Sequence, residues 1–174
     1  MGPGRQGASN AWSKHRLMAT SRALPWGSII TQAVVAGLIA GIFIEAYLWA
    51  TIVLPAHGSL LQSWQWVAST VIGKQAFTSL SFAWLGLLIH LLVAIGWAGG
   101  YAYLASTRPY MNQRWYISGP IYGFVVYMFM EIVLLGDNNF VWPASLPAFF
   151  NYAVGAHVIF FGMPLAFVVA RMDR

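Results

Sequence analysis

The sequence predicts an all-α, polytopic membrane protein built as a four-transmembrane-helix bundle. Three features carry that expectation. The chain is 59% hydrophobic and only 7% charged over 174 residues, whereas a soluble domain carries about 25% charged residues. Its apolar residues gather into runs near the ~20 residues that a helix needs to cross a bilayer. Its basic residues sort to alternate connectors, as the positive-inside rule requires.

Residues 1–24 differ from the rest. They hold Arg5, Lys14, Arg16 and Arg22, no acid, several Gly and Ser, and Asn10. Such a segment cannot bury enough apolar surface to order itself, so it reads as a flexible basic leader against anionic lipid. The transmembrane domain then fills residues 25–174, with spans expected near 26–55, 78–104, 115–135 and 148–170. The first span runs up to Pro55. Residues 56–77 are too polar to cross, yet they include Leu60, Leu61, Trp64, Trp66 and Val67; they read as a short helix or loop lying in the interface. The second span carries His90 near its middle. A short basic connector follows, and Pro109 stops the helix because proline cannot donate a backbone hydrogen bond. The third span has Pro120 in its first turns and Glu131 near its far end. A Pro-rich connector with Asp137 leads to the fourth span, which contains His157 and closes on Arg171 and Arg174.

Four crossings place both termini on one side. Arg5, Lys14, Arg16, Arg22, Arg108, Arg114, Arg171 and Arg174 fall on that side and Lys74 alone on the other. Both termini are therefore expected in the cytoplasm.

A pseudo-twofold pair of helical hairpins is also suggested. GLIAGIFIEAYLWATIVL in the first span resembles GPIYGFVVYMFMEIVLLG in the third, so Gly37 and Gly41 match Gly119 and Gly123. An acid follows each pair, and each of the remaining spans carries a histidine. The axis would lie along the membrane normal.

The intramembrane charges are the candidate site. A carboxylate within the hydrocarbon layer is costly unless it faces protein, water or a partner. At ~1.5 Å per residue, Glu45, Glu131 and His157 fall ~4–8 Å outward of their span midpoints, with His90 close to the midplane. Gly37, Gly41 and Glu45 share one helix stripe, and so do Gly119, Gly123, Tyr127 and Glu131. Small residues at this spacing let helix backbones approach, so the stripe that packs inward carries the acid. The expected site is thus Glu45, His90, Glu131 and His157. Carboxylate and imidazole suit a mononuclear Fe, Zn or Mn ion, and His90 with His157 suits bis-His haem ligation. The Glu-x-x-His motif of soluble di-iron bundles is absent. A proton or cation path, or plain interhelical hydrogen bonding, are the other readings of the same four residues.

Much else is excluded. There are no cysteines, so disulfides and thiolate chemistry are ruled out. No catalytic triad, phosphate loop or nucleic-acid module is present. The net charge of +5 reflects topology rather than nucleic-acid binding. The expected partners are membrane lipids, other membrane subunits or a second copy of the chain.

The stretch from His90 to Tyr103, the basic connector, Ser118 to Gly123, and Gly155-Ala156-His157 running on to Arg174 resemble the small YagU-like inner-membrane proteins. The resemblance spans about half the chain. It implies a bacterial inner-membrane location and a polytopic helical fold, and it assigns no catalytic residue. The expected function is a metal- or haem-binding membrane subunit. A non-catalytic accessory subunit of a larger complex and a proton- or ion-coupled carrier are the open alternatives.

Overall fold

Small residues decide how these helices meet. The computed structural model describes residues 25–130 and 152–173, and among them every regular element is helical. The leader, Glu131, Asp137 and the connector that contains it lie outside the described residues.

Helix α1 (Trp26–Leu48) begins after Pro25 and buries Ile29, Ala33, Ala36, Gly37, Ala40, Gly41 and Ile44 along one face. Ile30, Leu38 and Ile42 are exposed on the other. A helix apolar on every side belongs in lipid. Beyond Leu48 the helix widens into a π-turn, Trp49–Val53, closed by Leu54 N–H donating to Trp49 O at 2.8 Å. Helix α2 (Leu60–Ile72) follows a turn at His57. A reciprocal capping box starts it: Gln62 N–H donates to Ser59 Oγ at 3.2 Å, and Ser59 N–H to Gln62 Oε1 at 2.9 Å. It stops at Gly73, whose φ of 61° would strain any residue with a Cβ. A 3₁₀ turn, Gly73–Phe77, reverses the chain. Buried Gln65 ties this return by donating to Ala76 O at 2.9 Å and Ser79 O at 3.0 Å.

Helix α3 (Phe82–Thr107) packs along α1, with Ala94, Ile95 and Gly99 at the contact, and also buries Ala98, Ala102 and Ala105. The short helix α4 (Tyr110–Gln113) leads into α5 (Trp115–Phe129), which contains Pro120. The last span comprises α6 (Tyr152–Gly155), a π-segment (Ala156–Gly162) and α7 (Met163–Met172). Pro164 lacks the N–H that a regular helix would direct at the Phe160 carbonyl, and the widened turns sit just before it.

Helix α1 lies between α3 and the last span, and α5 packs on that span's other side. Aromatic side chains close the gap between α3 and α5. Tyr122 O–H donates to Trp97 O at 2.7 Å, and Tyr122 meets the rings of Trp97 and Tyr101 edge-on at 6.1 and 5.2 Å. Tyr101, fully buried, is 2.7 Å from Ser118 Oγ, which also lies 2.8 Å from Met111 O. Asn112 Nδ2–H donates to Asp173 Oδ2 at 2.7 Å and fastens the basic connector to the chain's end.

Among the described residues three helices are long and apolar enough to cross a bilayer: Trp26–Thr51, Phe82–Thr107 and Ala153–Met172. With the composition, this makes the chain a helical membrane protein. The expected span at 115–135 is described only as far as Met130, of which Trp115–Phe129 is α5. The expected interfacial segment is helix α2, and it packs directly on α3.

Candidate functional site

The site is built where α1 and α3 touch and then part. Along the contact the backbones nearly meet: a Cβ on Gly37 would lie 2.6 Å from Ile95 Cα. One turn further, a Cβ on Gly41 would lie 3.3 Å from Ala94 Cβ and 3.5 Å from His90 Nε2. That closeness lets His90 reach across the seam, where its Nε2–H donates to the Gly41 carbonyl oxygen at 3.0 Å. The carbonyl can only accept, so the bond fixes the proton on Nε2.

Helix α2 covers the next turn. It crosses α3 at Gly86, where a Cβ would overlap the carbonyl of Trp64. Only glycine admits this backbone contact. The crossing brings Ser63 to Glu45, and Ser63 Oγ–H donates to Glu45 Oε1 at 2.9 Å. The same hydroxyl is 2.8 Å from Leu60 O, but its single proton serves one acceptor at a time.

Between the three helices is a cleft of about 290 Å³ lined by Gly41, Glu45, Trp64, Leu87, His90 and Leu91, among others. This is at the lower end of the ~300–1,000 Å³ range of small-molecule sites. Exposed Ile42, Trp49 and Leu60 stand at its mouth. Its walls are apolar apart from Glu45 and His90, both half-buried within the protein. Trp64 also lines the cleft, and its indole Nε1–H is buried away from it with no hydrogen-bond partner among the described residues.

Of the four expected site residues, Glu45 and His90 share this cleft. His157 sits elsewhere. Its Nδ1–H donates to Ala153 O in its own span at 2.7 Å, and its ring lies 5.7 Å from that of Tyr127 on α5. Glu131 lies outside the described residues. Among the described residues, no three of His, Cys, Asp and Glu come together as a metal site requires. The metal- or haem-binding reading is therefore corrected. Helical rise leaves the imidazoles a few ångströms apart in depth, and each ring turns to a different backbone carbonyl, His90 in the α1–α3 seam and His157 within its own helix. Among the described residues the buried polar ones are Gln32 and Gln65, so no buried charged cluster is found there.

The two glycine pairs do make matching contacts. Gly37 abuts Ile95, five residues beyond His90, and Gly119 abuts Gly162, five residues beyond His157. Gly41 meets the ring of His90, and Gly123 meets the carbonyl of His157. In this register the counterpart of Glu45 is Tyr127, four residues after the second glycine, rather than Glu131.

Ser63 and Trp64 escaped the sequence reading, because tryptophans in a polar segment read as interfacial belt residues. The capping box Ser59-Leu60-Leu61-Gln62 was the available signal, since it starts a helix that sets Ser63 in its first turns. No family model, curated protein or solved structure matches the chain.

Proposed function

We propose that this protein is a four-span bundle that holds the polar end of an amphiphile in the cleft between α1, α2 and α3. The observation that carries the reading is the Glu45 carboxylate: it stands on an apolar-walled cleft, and its hydrogen-bond partner among the described residues is one hydroxyl, that of Ser63. Acids at membrane depth persist where they meet a partner, a substrate or water. A cleft with Ile42, Trp49 and Leu60 at its mouth admits an alkyl chain from the side while the headgroup reaches Glu45.

After Met130 the sequence stays apolar to Leu135 apart from Glu131, which supports a fourth crossing over residues 115–135. The matched glycine contacts support two hairpins related by a pseudo-twofold axis, one holding the Glu45–His90 pair and the other Tyr127 and His157. The basic residues on the leader, on residues 108–114 and on the tail support cytoplasmic termini. The resemblance to YagU-like proteins supports the bacterial inner membrane, and the partner is membrane lipid.

The test is lipid analysis of purified protein. Wild type is expected to retain a single-chain or small amphiphile in near-stoichiometric amount. Ala46→Phe, at an exposed wall position outside the packed seam, is expected to lose most of it while staying folded. Equal retention by the two proteins, or retention by neither, would reject the reading.

A further inference from the structure

We infer that the outward face of the last span seats one acyl chain of an anionic phospholipid, whose phosphate is held by Arg171. This site is separate from the Glu45 cleft, and its failure would leave that reading untouched. The last span lies between α1 and α5, so its bilayer side is the floor of a groove with a wall along each edge. A cavity of about 350 Å³ opens there. Ile159, Met163 and Phe167 belong to the floor, Phe43 on α1 stands on one side and Trp115 at the start of α5 on the other. Ile159, Phe167 and Phe43 are exposed, so the groove is open to the bilayer along its length. From Ile159 to Phe167 it runs roughly 12 Å at the helical rise. That is close to the ~15 Å of one leaflet's hydrocarbon, half of the ~30 Å core.

The floor leads to a cation. Met163, Phe167 and Arg171 follow one another at four-residue spacing on α7, so they share one face of that helix. The Arg171 guanidinium carbon stands 5.0 Å from the centroid of the Phe167 ring, and Trp115 meets the same ring at 5.1 Å. Both therefore mark the end of the groove. Arg171 is exposed, and the nearby acid Asp173 is turned to Asn112, from which it accepts at 2.7 Å. A guanidinium holds a phosphate through two parallel N–H donors. The groove asks for an alkyl chain and its end asks for an anion. A free phosphate would leave the groove empty, and an apolar helix would leave Arg171 unpaired. An anionic phospholipid meets both needs. In the proposed orientation it belongs to the cytoplasmic leaflet, where anionic lipids attract basic residues.

The experiment is native mass spectrometry of the full chain released from nanodiscs of equal parts phosphatidylglycerol and phosphatidylcholine with the same acyl chains. The unaltered protein is expected to keep one phosphatidylglycerol, distinct in mass from any single-chain amphiphile. Its preference over phosphatidylcholine is expected to be at least about fivefold, the factor one interfacial arginine supplies. Arg171→Gln is expected to lose that preference, and Arg108→Gln, at an exposed connector position, to keep it. Ile159→Trp, a larger side chain at an exposed floor position, is expected to lower retention of both lipids severalfold. Equal retention of the two lipids by the unaltered protein, or a preference that survives Arg171→Gln, overturns the assignment of the phosphate to Arg171. Equal loss in Arg171→Gln and Arg108→Gln reduces Arg171 to one charge in a diffuse field and overturns the site. Full retention by Ile159→Trp overturns the groove as the seat of the chain. Release of the lipid by millimolar inorganic phosphate overturns a lipid in favour of a free anion, and a second protein chain in place of lipid overturns it in favour of a protein partner. Should a variant not fold, the lipid ratio in the unaltered protein decides.

Discussion

Glu45 is stabilised at its depth by neighbours that hydrogen-bond chemistry identifies one by one. Ser63→Ala removes its hydroxyl partner and leaves a carboxylate short of a donor, a change that costs about 1–3 kcal/mol. A lowered melting temperature of the detergent-solubilised protein is the expected result, and Glu45→Gln placed on top of Ser63→Ala should recover part of the loss. His90 contributes a smaller, structural term. His90→Phe deletes the bond to Gly41 O, and interhelical bonds in membranes average about 0.6 kcal/mol. A double-mutant cycle between Ser63 and His90, read by thermal unfolding, is expected to show near-additivity because the two bond different atoms of α1. How far such residues were legible in the sequence follows from geometry. Glu45 and His90 stood out because charge in an apolar run is conspicuous. His157 stood out equally and is engaged with its own helix, since helical rise gives depth and says nothing of which backbone a ring will turn to.

At the scale of the elements, glycine distinguishes contact from exposure within a single helix. Gly86 and Gly96 both lie in α3. At Gly86 an added methyl would collide with the Trp64 backbone carbonyl, which no side-chain rotation relieves, whereas at Gly96 no atom lies within 4 Å. Gly86→Ala is expected to destabilise the protein by about 1–3 kcal/mol and to loosen α2. Gly96→Ala is expected to be neutral or to gain up to about 1 kcal/mol from helix propensity. Parallel melting curves check both, and equal effects would show that α2 does not seat on α3 as described. The spans themselves were plain in the sequence: residues 26–55 and 78–104 were expected, and Trp26–Thr51 and Phe82–Thr107 are the helices found. Helix α2 was harder to place. Its tryptophans and polar residues match an interfacial belt, and only the Gly86 crossing turns it into a wall of the cleft.

For the whole molecule, the unequal sharing of basic residues predicts an orientation that can be tested without disturbing the fold. The chain has no cysteine, so single cysteines give clean labelling. Cysteines in place of Gln113 and Gln75, both exposed, are expected to react from the cytoplasmic and the outer side respectively in intact cells and inverted vesicles. In the proposed orientation the Tyr101–Ser118 and Asn112–Asp173 contacts lie at the cytoplasmic end and the Glu45 cleft in the outer half. Function then depends on whether this cleft takes up a molecule from the bilayer. The most direct measurement is photolabelling of the unaltered protein in membranes with a single-chain amphiphile that carries a photoreactive group near its polar end, followed by peptide mapping. Adducts concentrated on residues 42–49, 60–64 and 87–91 are the expected result. Labelling spread evenly over the outward-facing positions Ile30, Leu92 and Val125, with no enrichment around Glu45, would contradict the account.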